Sequence, residues 1–355
     1  MEEHKANRRY GRIMLCLAVL LILAVLLSLS WGQMKIPFSH VMAALLQGIA
    51  PGVAPGVAPG VADAGVPADQ AAVLWHIRLP RTAVGLMVGA GLGISGAVLQ
   101  GIFANPLADP GIIGVSSGAS VGAIVAIALG LSSLSLFALP VFALLGALLA
   151  VLLTVSLSMR HGRIPVLTLL LAGVVVGMFL SAVTAAILTA MNENKMQEYL
   201  FWTIGGLDYR RWDHVLLAIG PMGTGIAVML LLARHLNILV LGDTEARAVG
   251  MPVTLYRMAL LLLASLTTAA GVCISGNIGF VGLVVPHMMR LLVGPDHRRL
   301  LPASLLAGGC FLVFCDAAGR VIFSGMEVRA GIMTAFIGTP YFLYLLRKQQ
   351  RNLSD

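Results

Sequence analysis

Apolar runs of about twenty residues, separated by short polar breaks, recur along almost the whole chain and leave little freedom in what it can fold into. A helix needs about 20 apolar residues to cross the hydrocarbon of a bilayer. Runs of that kind lie at about Ile13 to Trp31, Thr82 to Ala104, Ile113 to Gly130, Leu136 to Met159, Pro165 to Met191, Val215 to Ala233, Thr254 to Ser275, Gly279 to Leu292, Pro302 to Ile322 and Gly331 to Leu346. The chain is 59% hydrophobic and 11% charged, which excludes a soluble protein with one buried core. The expectation is an all-α, polytopic integral membrane protein of about ten spans, one transmembrane domain over residues 1–355. The first run is too long for a signal peptide and lacks a small-residue cleavage site, so it reads as a retained span. The run from Gly279 is short, which fits an oblique or partly re-entrant path.

A net charge of +8 would point to nucleic acid in a soluble chain. In a membrane protein, basic residues first report orientation, and no nucleic-acid partner is expected. With both termini in the cytoplasm, 15 of the 23 Lys and Arg residues fall inside. Lys35, Arg78, Arg81, Lys195, Arg210, Arg211, Arg320 and Arg329 fall outside. Arg78, Arg81 and Arg320 there need another explanation. Cys16, Cys273, Cys310 and Cys315 lie in apolar segments without a CxxC pair, so no metal site or disulfide framework is expected.

Within Arg78 to Gly118, Gly85, Gly89, Gly93 and Gly96 follow at intervals of four, four and three, with Gln100 four further on. That spacing puts them on one helical face, where small residues let another helix come close in lipid. Asn105, Pro106, Asp109 and Pro110 of NPLADPG stop one span and start the next: Pro106 as breaker, Asp109 as cap, Pro110 at the first helical position. The turn is also a candidate for part of a cytoplasmic gate. The tandem APGVAPGVAPGV, Ala50 to Val61, is too rich in proline and glycine for a helix. It marks residues 50–67 as a flexible periplasmic loop insert in the long connection from Gly32 to Trp75. The polar stretch Asn192 to Trp212 has room for a short surface helix.

Of 15 acidic residues only Asp316 lies well inside an apolar run, with Arg320 one turn beyond it. Ion-driven carriers place ionisable groups near the bilayer midplane, and no GxxxxGK[ST] phosphate loop is present. An ATPase partner accounts for both absences. Residues 236–253 read as a cytoplasmic segment carrying a short helix: Leu241 and Gly242 before it, Asp243 or Thr244 as cap, Glu245 in the first turn, Arg247 and Val249 following, Gly250 as stop. A helix this short needs a surface to lie on. His287, after Pro286, reads as a packed residue at a kink. Paired carboxylates, metal-spaced histidines and an activated nucleophile do not occur, so the chain does not read as an enzyme.

RLPR with its glycine helix, NPLADPGIIGVSSG, LGDTEARAVG, GFVGLVVPHMMRLLVGPDHRRLLP and GIMTAFIGTPYFLYLL occur in this order. Together they resemble the FecCD family, BtuC-like permease subunits of type II ABC importers for iron chelates, haem or vitamin B12. The resemblance covers nearly the whole chain. It implies ten helices per subunit and a bacterial inner-membrane homodimer with the path on its twofold axis. It also implies two cytoplasmic ATPase subunits that hold ATP and Mg, with no cofactor on this chain, and a periplasmic binding protein. By motif, that protein would dock on Arg78, Arg81 and Arg320, and Arg329 would add a contact. The segment Leu241 to Gly250 would couple to the ATPase. Of a PxEIPxG-like pattern only Glu327 and Gly331 remain, with Arg329 in a usual proline position. The cargo expected is an iron source, haem or a ferric siderophore; cobalamin is the alternative. A self-sufficient secondary carrier, with Asp316 as its coupling residue, is the remote one.

Overall fold

The computed structural model describes residues 2–48, 66–159, 162–323 and 325–354. The tandem Ala50 to Val61 lies outside the described residues. The helices are α1 (Glu2–Ser30), α2 (Phe38–Gly48), α3 (Ala68–Ile102), α4 (Val115–Ala128), α5 (Ala138–Ser158), α6 (Val166–Thr189) and α7 (Glu193–Ile204). After these come α8 (Trp212–Leu231), α9 (Ala233–Val240), α10 (Asp243–Ala248), α11 (Val253–Ser275), α12 (Val281–Val293), α13 (His297–Gly319) and α14 (Ala330–Ser354). Seven are long and apolar enough to cross a membrane: α1, α3, α5, α6, α8, α11 and α13. With the shorter apolar α4 and α12 and the C-terminal α14, they occupy the ten expected runs. The fold is all-α, and among the described residues no strand forms, only isolated bridge residues such as Phe323 and Met326.

The middle of the bundle is α3, which packs on α8, α11, α12 and α13. Its glycines meet backbone directly: a Cβ on Gly89 would overlap Gly308 O, one on Gly93 would overlap Ser304 O, and one on Gly96 would overlap Gly282 O. Gly85 faces Leu207 instead. Lipid tails are as apolar as leucine, so helices gain from contact at this range rather than from leaving the solvent. At the end of the stripe Gln100 Nε2 donates to Leu283 O at 3.1 Å, and Arg290 donates to Gln100 Oε1 at 3.0 Å.

The structure departs from the expected boundaries in four places. First, α3 begins at Ala68, not near Thr82, because Arg78 and Arg81 find partners inside the protein, backbone carbonyls for the first and carboxylates for the second, and the helix runs on through them. Pro80 within it lacks an N–H, and a π turn at Leu74–Arg78 absorbs the disruption. Second, α2 forms in the long connection, burying Val41 and Ala44 against Leu29, Ile36 and Leu74. Third, α7 takes up only Glu193–Ile204 of the polar stretch, as a surface helix capped by Asn192, whose Oδ1 accepts from Lys195 N at 3.0 Å; most of its residues are exposed. It runs beside α4, with Lys195 Nζ on Ala128 O at 2.8 Å, and buries Tyr199 and Trp202. Fourth, Asp109 caps a 3-10 turn, Pro110–Ile113, and α4 starts only after Gly114 at φ 89°.

The two ends of the bundle are defined by α13, whose 23 residues span about 34 Å. At its start His297 and Asp296 meet Asn237 of α9; near its finish Asp316 meets Arg81. Gly96→Val drives a branched side chain into Gly282 and is expected to cost about 1–3 kcal/mol or more. Gly220→Ala, at a glycine with open space around it, should leave stability unchanged or slightly raised. Thermal unfolding of both variants in detergent checks this contrast.

Candidate functional site

At the Arg81 end, charge that hydrocarbon would reject is gathered into one network. Arg81 is 6% exposed, Arg78 4% and Arg320 4%. Arg81 grips Asp316 through Nε and Nη2, the latter at 2.8 Å from Oδ1. Its Nη1 lies 2.8 Å from Glu327 Oε2, and Nη2 lies 3.0 Å from Asp208 Oδ1. Arg320 pairs with the same Asp316 at 3.3 Å and donates to Ser28 Oγ at 2.7 Å, reaching α1. Arg78 has no carboxylate and donates to the carbonyls of Leu29 and Met34. Gly32 leaves the room it needs, since a Cβ there would sit 2.8 Å from Arg78 Nη2. Isolated charges this deep are costly, and pairing with full hydrogen bonding is what makes them tolerable.

Above Arg81 opens a cleft of about 600 Å³. Its rim includes Tyr209, Arg210, Arg211 and Arg329. Arg329 shares Asp208 with Arg81, at 3.7 Å, and its guanidinium lies 4.7 Å from the Phe201 ring centre while Nη1 donates to Phe201 O. Of the four arginines expected to form a docking surface, three are therefore enclosed and one stands at the rim. The sequence reading missed Asp208, Tyr209 and the inward reach of Glu327. The available signal was that acids are rare here, and two of them sit beside basic residues in connections between apolar runs.

At the opposite end, α9 and α10 form an exposed elbow around Gly242 (φ 114°), closed by Gly250 (φ 78°). Asp243 is the first residue of α10 and not its cap, a position that Gly242 holds without a side-chain hydrogen bond. Its carboxylate is taken instead by Arg257 of α11, which donates at 2.5 and 3.3 Å and holds the Asp243 carboxyl below its ordinary range. Arg257 also donates to Ile164 O at 3.2 Å, ahead of α6. Because that shift is downward, the tie is complete at neutral pH and is lost only as pH falls through the lowered value. Ala246 is buried beneath the elbow, whereas Thr244, Glu245, Arg247, Leu241 and Val249 face outward. Beside it, Asn237 joins Asp296 and His297, and the ring of His235 stacks on Tyr256 at 4.2 Å.

Between the ends, the glycine stripe is closed by packing, and the NPLADPG turn leans into the bundle. Asn105 Oδ1 accepts from Leu107 N at 2.9 Å, Asp109 Oδ1 accepts from Gly111 N at 2.7 Å, and Pro106 stands before the turn. Pro110 is buried against Gly282, where a Cβ would be 2.9 Å from its ring. No group of three His, Cys, Asp or Glu side chains among the described residues is placed to hold a metal ion.

The model of the FecCD transport family matches residues 20–348. A cobalamin import system permease protein BtuC of Halobacterium salinarum is 46% identical over 286 residues, 81% of this chain and 76% of that protein. A vitamin B12 import system permease protein BtuC of Escherichia coli is 38% identical over 347 residues, 97% of this chain and 98% of that protein. A solved structure described as the inward-facing conformation of a metal-chelate type ABC transporter superposes with a TM-score of 0.81 at 32% identity, over 95% of this chain and 99% of that one. A charged end locked from within, an exposed elbow at the other end and a glycine-packed bundle between them thus belong to a multi-pass ABC importer permease, and the chain is a member of the FecCD transport family.

Proposed function

We propose that this chain is half of a homodimeric permease in a bacterial inner membrane, and that it imports cobalamin by alternating access. The observation that carries the cargo is the identity with cobalamin permeases: 46% over 286 residues, and 38% over nearly the entire length. An iron chelate, haem or a ferric siderophore, is the second reading, favoured by the likeness to the metal-chelate type transporter.

The positive-inside bias puts the Asp243 end and both termini in the cytoplasm and the Arg81 end in the periplasm. Along α6 the side chains of Leu171, Val175, Met178 and Phe179 are exposed, as is Phe336 on α14. A second copy related by a twofold axis would cover part of these faces and enclose a path. The chain has no phosphate loop, so ATP and Mg²⁺ belong to two partner ATPase subunits, and no cofactor or catalysis is assigned to this chain. The elbow from Leu241 to Gly250 is the contact for those subunits: a short helix pinned by Arg257 on one side, with Leu241 and Val249 (68% and 69% exposed) free to enter a groove on the other. A binding protein would deliver cargo at the Arg81 end, its acidic residues steered by the arginines there.

The cargo is tested by ATP-driven uptake in proteoliposomes holding the permease, its ATPase and its binding protein. Cobalamin should accumulate and haem or ferric siderophore should not; the reverse selects the second reading, and uptake indifferent to ATP sinks the importer. For the elbow, Leu241→Glu with Val249→Glu should release the ATPase on purification while the permease stays folded, because neither side chain packs inside the chain. Gly250→Pro, which imposes a φ near −65° on a residue at 78°, should uncouple hydrolysis from uptake by about tenfold or more. Normal stimulated hydrolysis in both variants would remove the elbow from the coupling role.

A further inference from the structure

We infer that a glycerophospholipid with an anionic headgroup occupies a groove on the outer flank of α1, one acyl chain lying against Leu23, Leu27 and Val321 and the phosphate on Lys35. Its leaflet, the periplasmic one, follows from the orientation proposed above; the site itself needs only that α1 spans a membrane.

The groove is made by the way the chain leaves α1. Trp31 N donates to Leu27 O at 2.7 Å and Ile36 N donates to Ser30 O at 3.3 Å, which turns the connection back over the last turn of the helix. Ile36 is buried with Leu29 in the process. Between α1, this connection and the end of α13 a space of about 780 Å³ is left, within the range of roughly 300–1,000 Å³ that ligand pockets occupy. Its walls are apolar, and among the described residues Lys35 is the one charged side chain that lines it. Ser30 also lines it, and its hydroxyl is buried without a partner among the described residues.

Position and charge together select a lipid. Leu15, Val19 and Ile22 are exposed along one stripe of α1 at intervals of four and three, and Leu26, four further on, lines the groove. That stripe belongs to a membrane span, where hydrocarbon covers exposed leucine, so the groove opens onto acyl chains. At its outer end stand Trp31 and Phe38, 40% and 53% exposed, beside the exposed Lys35. Tryptophan and lysine at the end of a span sit at headgroup level, the lysine stem along apolar surface and its ammonium at the phosphates. No acid lines the groove to receive the ammonium of a zwitterionic headgroup, and a phosphate carrying an uncharged substituent such as glycerol meets Lys35 without that mismatch.

The connection from Trp31 to Phe38 thus has two faces. On the inner one, Met34 O accepts from Arg78, and Gly32 leaves room for the same guanidinium. On the outer one, Lys35 holds the lipid. A bound lipid braces from outside the segment that Arg78 holds from inside.

The test is native mass spectrometry of the delipidated permease–ATPase complex titrated with phosphatidylglycerol. The wild type should retain one molecule per protomer at this site. Lys35→Gln should weaken retention about tenfold, and Leu27→Trp, which fills the groove, by at least as much. Arg211→Gln, an exposed cation at the same end but outside the groove, should stay within about twofold. Diacylglycerol with the same chains should bind about tenfold more weakly than phosphatidylglycerol, and glycerol phosphate without chains should not be retained. All variants should keep their elution volume. Wild-type retention in both groove variants overturns the inference, as does equal retention of diacylglycerol and phosphatidylglycerol. Phosphatidylglycerol retained only after deletion of residues 50–61 would make that connection the occupant and also overturn it.

Discussion

A guanidinium held away from water must be answered by carboxylates, and Arg81 draws its carboxylates from three separate parts of the chain. Asp316 comes from α13, Asp208 from the connection after α7, and Glu327 from the connection before α14. Asp316 passes the tie to Arg320, which reaches Ser28 of α1, while Arg78 holds the carbonyl of Leu29 beside it. Asp316 is enclosed with the arginines, whereas Asp208 and Glu327 reach them from the cleft. Replacing such a network by apolar side chains is often no less stable. What the charges secure here is register, because a shift of one residue along α3 or α13 would break the two-pronged contact of Arg81 with Asp316.

Below the network, contact is made by backbone. Gly89, Gly93 and Gly96 bring α3 against α13 and α12 with no side chain between them, and Gly118, Gly122 and Gly146 do the same for α4 and α5. The other end is held more lightly, by Arg257 on Asp243 and by Asn237 with Asp296 and His297. The three regimes are a charge-paired end, a tightly packed middle and an exposed elbow.

Much of this could be read from residue order. The apolar runs locate the membrane-crossing helices, the Asp316–Arg320 spacing indicates their pairing, and five motifs in sequence mark the family. On cargo the motifs fit iron chelates and cobalamin alike, and two relatives are named as cobalamin or vitamin B12 permeases. Other features escaped because a one-dimensional pattern does not register what a distant segment supplies. The start of α3 looks like Thr82 when Arg78 and Arg81 are counted as charges in lipid, and becomes Ala68 once both find partners inside the protein. The polarity of Glu193 to Ile204 argues for a surface, which most of the helix does occupy; what it does not register is that Lys195 finds the carbonyl of Ala128. Asp243 has the residue type of a cap, but Arg257 offers a charged partner that a backbone N–H does not match.

The sequence by itself determined that the chain is a bundle of membrane helices, which face of α3 would be approached closely, and which end carries surplus positive charge, because hydropathy, helical spacing and residue type are local properties. Only the tertiary structure decided which charges remain available. Arg78, Arg81 and Arg320 look the same on the page as Arg211; burial and pairing separate the first three from the last, which is 67% exposed, and both depend on where distant carboxylates and carbonyls come to rest.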